Sequence, residues 1–399
     1  MQYLSADCII PVSGKPCYDS VLITTDDGKI EGVFPKSELK GTLYEIHHYN
    51  GILCPGFVNT HCHLELSHAD ELISEGKGLD AFVRQLEKVK RYANGLYSRN
   101  KTEDAAHEME QSGIVATADI TNGNITSDFK RYNKQYFHTF VEVFGSNPAY
   151  ADTIFKNADK SRRKFAKYSL SGGVSIVPHA TYSLSAELFE LVASAGKGEL
   201  ISIHHQENND ENLFFKDGSG PIASRRKAFN PDLPDFTGTG MRPMESVARY
   251  FDPSQKILLV HNTVTEQQDI DFVENYFSDV YWCLCPNANI YIENQLPDIN
   301  LFRKNNCTIT LGTDSLASNH QLSILEEMKT IQKQYPEIPL QELVTWATLN
   351  GAAFLGLDSV LGSFEKGKMP GVVIIENADI KTLMLNPRST SRLIIPAGL

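Results

Sequence analysis

The sequence predicts an α/β protein: a (β/α)8 barrel of the TIM type, with a small β-sandwich domain built from both chain termini. Three observations predict it. The middle of the chain alternates short apolar runs with helical stretches, the two ends hold only short strand-like runs, and polar ionisable residues recur where the central runs end. Strand–helix alternation implies parallel strands joined by crossover helices.

Residues 1–54 read as short strands and turns. CIIPV, DSVLITT and KIEGVF are β-rich, and Asp27-Gly28 marks a hairpin turn. Near the other end, PGVVIIEN and SRLIIP have the same texture. Segments 1–54 and 357–399 are therefore expected to form the small domain, and 55–356 the barrel. One central strand ends near Thr60. Seven further runs lie at 113–120, 136–144, 173–180, 200–207, 256–262, 279–285 and 307–314, with helical patterns at 79–93, 266–277 and 323–335. Eight βα units over about 300 residues suit a (β/α)8 barrel with insertions. The alternative is an open doubly wound sheet, but no Gly-rich dinucleotide or phosphate-binding motif follows any strand. The longest insertion, 208–241, is rich in Gly, Pro, Asn and Asp. It reads as a substrate lid or as surface packing. Phe214 and Phe215 in it either line a pocket or face solvent, and Arg225 and Arg226 read as solvent-facing.

The 399 residues carry 37 basic and 49 acidic side chains, a net charge of −12. That balance argues against a nucleic-acid or anionic-membrane partner. Seven cysteines, an odd number scattered along a long chain, do not form a disulfide framework and fit a reducing compartment. MQYLSADCII lacks the pattern of a signal peptide, and no run approaches the ~20 apolar residues of a membrane helix. The cytoplasm is the expected location.

The chemistry is concentrated in PGFVNTHCHLELSH (55–68). In a strand, His61 and His63 share a face and Cys62 takes the other. Two imidazoles at a strand end make half of a metal site, although a hydrogen-bonded pair of core histidines has the same pattern. The remaining strand ends decide between these. His179, His204 with Glu207, His261 and Asp314 all sit at strand ends, which converge on one mouth in a barrel. The zinc-binding pattern H-x-E with P-C-x-x-C is absent. Cys283 and Cys285 read as buried strand residues. Glu65 continues the period-2 face of His61 and His63, so it is a candidate substrate contact; the alternative is that it caps the following turn. His68, His107, His138 and His320 read as surface or supporting residues without an assigned role.

PGFVNTHCH, IHHQE with its H-x-x-E spacing, LLVHN, LGTDSLASN and the late GSFEKGKMPGVVII resemble, in this order, the amidohydrolase superfamily. The similarity is to its branch of adenosine, guanine, S-adenosylhomocysteine and aminodeoxyfutalosine deaminases, and it covers essentially the whole chain. The resemblance implies that His61, His63, His204 and Asp314 bind one divalent metal, zinc or else iron. It implies Glu207 as the proton shuttle, His261 as the residue orienting the reactive water, and His179 as a substrate contact. His205, next to His204, would face away. Binuclear relatives carry a lysine on the fourth strand; GVSIVPHA has none, which favours one metal. The late segment departs from the family's usual aspartates at Pro370 and Gly371, a change expected to touch packing only. Dimers are common in the family, so a homodimer is expected.

The implied reaction is hydrolytic deamination of an amino-substituted, purine-like heterocycle or nucleoside derivative. Metal-activated hydroxide attacks the amino-bearing ring carbon, and ammonia leaves. Glu207 protonates the ring nitrogen, and Asp314 or His261 takes the water's proton. HLELS and the insertion favour the aminodeoxyfutalosine type. The alternatives are an amidohydrolase or chlorohydrolase acting on another C–N or C–halide bond, and a non-catalytic scaffold of the same fold. The scaffold reading is disfavoured because every ligand position is filled.

Overall fold

The computed structural model describes residues 1–39, 45–92, 95–133, 135–168 and 172–399. Its strands are β1 (Gln2–Ile9), β2 (Ser20–Thr24), β3 (Ile30–Pro35), β4 (Ile46–Pro55), β5 (Phe57–Cys62), β6 (Ile114–Thr121), β7 (Tyr136–Val143), β8 (Val174–Pro178), β9 (Ile201–His205), β10 (Lys256–His261), β11 (Asp279–Leu284), β12 (Ile309–Leu311), β13 (Val372–Glu376) and β14 (Thr390–Ile395). All seven central runs and both terminal groups read from the sequence appear as strands. The helical patterns become Leu79–Tyr92, Gln267–Tyr276 and Ile324–Gln334.

The chain ends meet in one six-stranded sheet of order β14-β13-β4-β1-β2-β3. The Asp27-Gly28 turn joins β2 to antiparallel β3, and Gly28 takes φ 90°, a region open to glycine. The expected sandwich does not form: among the described residues no second terminal sheet faces this one. Alternation along the strands shows why. Ile52, Cys54, Val373 and Ile375 join the apolar cluster of the central body, so one face is already covered. Leu53, Val372 and Ile374 point the other way, into a separate cluster with Leu4, Leu22 and Phe364.

The central strands are all parallel, in two four-stranded sheets, β5-β6-β7-β8 and β9-β10-β11-β12. Every residue of β6 and β7 is buried, as in parallel sheets covered on both faces. Single parallel bridges, Cys62 to Asp314 and Ala180 to His204, join the two sheets at their edges. The continuous eight-strand ladder expected of a barrel is thus reduced to single bridges at two seams. Just past β12 the chain passes very close to its neighbours. A Cβ on Gly312 would lie 2.7 Å from His61 Cβ and 2.9 Å from Cys283 Sγ.

The insertion 208–241 is largely helical, with helices Asn209–Asp217 and Gly220–Phe229. Phe214 and Phe215 are buried and pack with Phe236, rather than facing a pocket or solvent. Among the described residues no helix is long and apolar enough to cross a membrane, and all seven cysteines are unpaired.

Candidate metal centre and active site

Four predicted ligands converge where the two parallel sheets meet. Cys62, between His61 and His63, points away into an apolar cluster with Leu64 and Met109. The His61 ring lies 4.9 Å from each of the His63 and His204 rings, centroid to centroid, and donor atoms of all three lie within 4.8 Å of one another. Asp314 Oδ1 is 3.6 Å from Nε2 of His61 and 3.6 Å from Nε2 of His63. Ligands about 2.1 Å from a tetrahedral ion stand about 3.4 Å apart, so the spacing suits a cation.

The donor chemistry agrees. Both ring nitrogens of His61 are buried without a hydrogen-bond partner, an arrangement that native structures rarely leave unexplained. Burial lowers the His61 pKa to about 4 and that of His63 well below the ordinary range, which keeps both rings neutral with a lone pair to give. His204 donates Nδ1–H to the His179 carbonyl at 2.7 Å, which leaves Nε2 for a cation. At Asp314, burial opposes the charge, but the neighbouring His61, His63 and His261 imidazoles outweigh it and hold the carboxyl below the usual range. Ser318 donates to Asp314 Oδ2 at 2.6 Å, leaving Oδ1 for the ion. The residues therefore fit one divalent metal.

Backbone strain marks the same place. Gln206, His261 and Asp314 have φ of 46°, 78° and 56°. Left-handed backbone costs about 1–2 kcal/mol per non-glycine residue, and it persists where the surroundings over-determine it. At Asp314 they do. The N–H groups of Thr313 and Asp314 donate to the His61 carbonyl at 3.0 and 3.1 Å, and the His63 N–H donates to the Asp314 carbonyl at 3.4 Å. Asn59 Nδ2 donates to Thr313 Oγ1 at 2.8 Å.

A cavity of about 500 Å³ opens on this cluster, with His63, His179, His204, Glu207, His261 and Asp314 at its polar end. Apolar and aromatic side chains, including Phe82, Leu86, Phe144 and Tyr182, form much of the rest. Burial raises the Glu207 pKa to about 8; the charges of Asp314 and Glu293 add to this, while His204 opposes it. Burial thus favours the protonated form of Glu207. His261 donates Nδ1–H to Asn289 Oδ1 at 2.9 Å, which leaves an unprotonated Nε2 3.8 Å from Glu207 Oε1. His179 lines the cavity with Nδ1 3.2 Å from Ser183 Oγ.

Some expectations need correction. Glu65 is not among the residues lining the cavity: its carboxylate accepts from Thr121 Oγ1 and the N–H groups of Asn122 and Gly123 at 2.7, 2.9 and 3.2 Å. It closes a turn instead of facing the cavity. Arg225 is only a quarter exposed; it pairs with Asp80 and lines the cavity mouth. His138 is a core residue bonded to Ser175, and burial lowers its pKa to about 3. His68 is buried on the Glu65 carbonyl, His107 meets Gln111, and His320 meets Glu75. His205 faces away as expected, towards Asn262 and Trp282.

The sequence reading missed Glu142. Its Oε2 accepts from Asn122 at 2.8 Å, its Oε1 is 3.5 Å from His204 Nδ1, and it lines the cavity. The available signal was a carboxylate next to the end of a strand with no other charge.

The model of the amidohydrolase family matches residues 52–391. The 5-methylthioadenosine/S-adenosylhomocysteine deaminase of Saccharophagus degradans is 24% identical over 95% of this chain and 84% of its own. The aminodeoxyfutalosine deaminase of Nitratiruptor is 26% identical over 83% of this chain and 80% of its own. Among solved structures, Helicobacter pylori aminofutalosine deaminase in complex with methylthio-coformycin superimposes with a TM-score of 0.84 at 19% identity, covering 98% of both chains. At that identity the likeness speaks for the fold. With the family match spanning most of its length, the chain belongs to the amidohydrolase family.

Proposed function

We propose that this protein is a metal-dependent hydrolytic deaminase of an amino-substituted, purine-like ring in a nucleoside derivative, with the aminodeoxyfutalosine type favoured. The observation that carries the proposal is the meeting of His61, His63, His204 and Asp314 close to the largely buried Glu207 carboxyl, at one end of a cavity lined by His63, His204, Glu207 and Asp314. Zinc is the favoured ion, because three imidazoles and one carboxylate suit it, with iron as the alternative. When bound, the ion supplies Lewis acidity that lowers the pKa of a water from 15.7 towards ~7.

The chain's own groups handle the protons. Glu207 gives its proton to the ring nitrogen beside the reacting carbon and later carries a proton to the departing amine. His261, with Nε2 unprotonated, takes the proton of the attacking water; ionised Asp314 is the second candidate for that proton. His179 holds the ring against the cavity wall. The balance is one water consumed and one ammonia released, with the amino-bearing carbon becoming a carbonyl.

The hydrolase unit is 55–356, a (β/α)8 barrel whose seams are the two single bridges, with 1–54 and 357–399 as its accessory sheet. Unpaired cysteines suit a reducing, cytoplasmic setting, and the acidic balance suits a small-molecule substrate better than nucleic acid.

The test is a panel of adenine, adenosine, 5′-substituted adenosines, amides and halogenated heterocycles on zinc-loaded protein, with substrate loss followed together with ammonia, amine and halide release. Turnover of the 5′-substituted adenosines first supports the reading. Turnover of amides or halides alone overturns it in favour of another leaving group.

A further inference from the structure

Beneath the histidine pair lies a buried ion pair that the proposed reaction does not use. Asp119 on β6 is 0% exposed, and Lys130, on helix Ser127–Tyr132, is 5% exposed. Lys130 Nζ is 2.5 Å from Asp119 Oδ2 and 2.8 Å from Thr139 Oγ1 on β7. The rings of Phe137 and Phe165 surround the ammonium at 5.4 and 5.1 Å. Such a pair is a poor stabiliser: losing the hydration of both charges offsets their attraction, and apolar replacements are often neutral or better. Its presence needs another physical reason.

The other carboxylate oxygen supplies one. Asp119 Oδ1 accepts the N–H of Leu64 at 2.9 Å. Leu64 directly follows His63 and opens the 3-10 helix Leu64–Ala69. The first N–H groups of a helix have no partner within it. The last β5–β6 pairing is Cys62 with Asp119, so the side chain of Asp119 extends the contact between strands past the point where the backbone ladder stops. His63 is then held on both flanks: its own N–H reaches the Asp314 carbonyl at 3.4 Å, and the next N–H reaches Asp119.

We propose that Asp119, neutralised by Lys130, is a positioning residue for the metal centre, fixing the backbone around His63 so that its ring stays in register with His61 and His204. The inference rests on the metal-site reading above. Lys130 balances the charge so that the carboxylate can stay in the core, and Asp119 does the holding.

Two double variants separate the hydrogen bond from the charges. D119N/K130M removes both charges and keeps an oxygen to accept the Leu64 N–H, whereas D119L/K130M removes the acceptor too. The readouts are zinc affinity by chelator competition and thermal unfolding of the metal-free protein. The expected result is zinc binding about 10-fold or more weaker in D119L/K130M, the scale for groups that orient metal ligands. D119N/K130M stays within about 3-fold of wild type, and both metal-free variants unfold no earlier than the metal-free wild type. Equal zinc affinity in the two double variants overturns the inference, whether both match wild type or both fall. Should the leucine variant fail to fold, D119A/K130M, which drops the acceptor without adding bulk, is read in its place. Wild-type protein that binds no zinc sinks the metal-site reading and this inference with it, and that result is seen before any substitution is made.

Discussion

Glu207→Gln separates proton transfer from everything else the site does. The amide keeps the size and place of a side chain whose Oε1 stands 3.8 Å from His261 Nε2. It also mimics the protonated form, which burial favours by raising the pKa from 4.5 to about 8. What it cannot do is pass a proton on. General acid–base groups contribute about 10²–10⁴-fold, which is about 3–5 kcal/mol of barrier at 1.36 kcal/mol per decade. The expected outcome is kcat at 1% of wild type or lower, with zinc content and unfolding temperature unchanged. Steady-state ammonia release, metal analysis and a thermal melt on the same preparation measure all three. The pH profile adds a second check. The acid is competent while protonated, so wild-type kcat should decline as pH rises through about 8, and that limb should be missing from the variant. A variant retaining more than about a tenth of wild-type kcat with its metal bound, below the lower end of that range, would remove Glu207 from the mechanism.

Ser318→Ala strips the 2.6 Å hydrogen bond from Asp314 Oδ2. Zinc affinity should fall about 10- to 100-fold in chelator competition, while the metal-free melt barely moves. Arg225→Ala breaks the tie between the insertion and Asp80 at the cavity mouth. It should alter KM more than kcat in initial-rate assays and shift stability by less than about 1 kcal/mol, since this pair is partly exposed. Glu327 is buried among donors from Asn287 and Asn319, and its pKa is raised from 4.5 to about 8, chiefly by burial. Below about 4.5 both folded and unfolded states hold this proton. Between about 4.5 and 8 only the folded state does, so stability from this group is lost as pH rises. Glu327→Gln should therefore gain stability relative to wild type between pH 5 and pH 8, by about 1 kcal/mol per pH unit at most, read from denaturant melts. A difference independent of pH would refute the assignment.

The convergence of His61, His63 and Asp314 was legible because two local rules sufficed. Period 2 put His61 and His63 on one side of β5, and the ends of parallel strands gather at one rim. Glu65 shows where the first rule stops. β5 ends at Cys62 and the chain turns into the 3-10 helix at Leu64, so the alternation no longer says which way a side chain points. Asp119 and Glu142 were hidden for a different reason. Each lies in a fully buried apolar strand, where a lone carboxylate reads as an oddity until Lys130 or Asn122 arrives from a distant part of the chain. The insertion's Gly and Pro content suggested loop, yet its helices form because Phe214 and Phe215 bury themselves against Phe236. The single terminal sheet was equally beyond reach, since nothing local in the strand runs says what covers each face.

The seam between β5 and the segment after β12 bears on when the protein becomes functional. Asn59 and Thr313, which join the first and last strands there, are 254 positions apart. At roughly 5–20 residues per second, a ribosome needs about 10–50 s to travel from one to the other. For that interval the two leading histidines have emerged without Asp314, whose carboxylate stands 3.6 Å from each of them in the folded chain. Under the proposed metal-site reading, metal capture waits until synthesis has passed the final strand, and a nascent or truncated chain would be a poor sink for zinc.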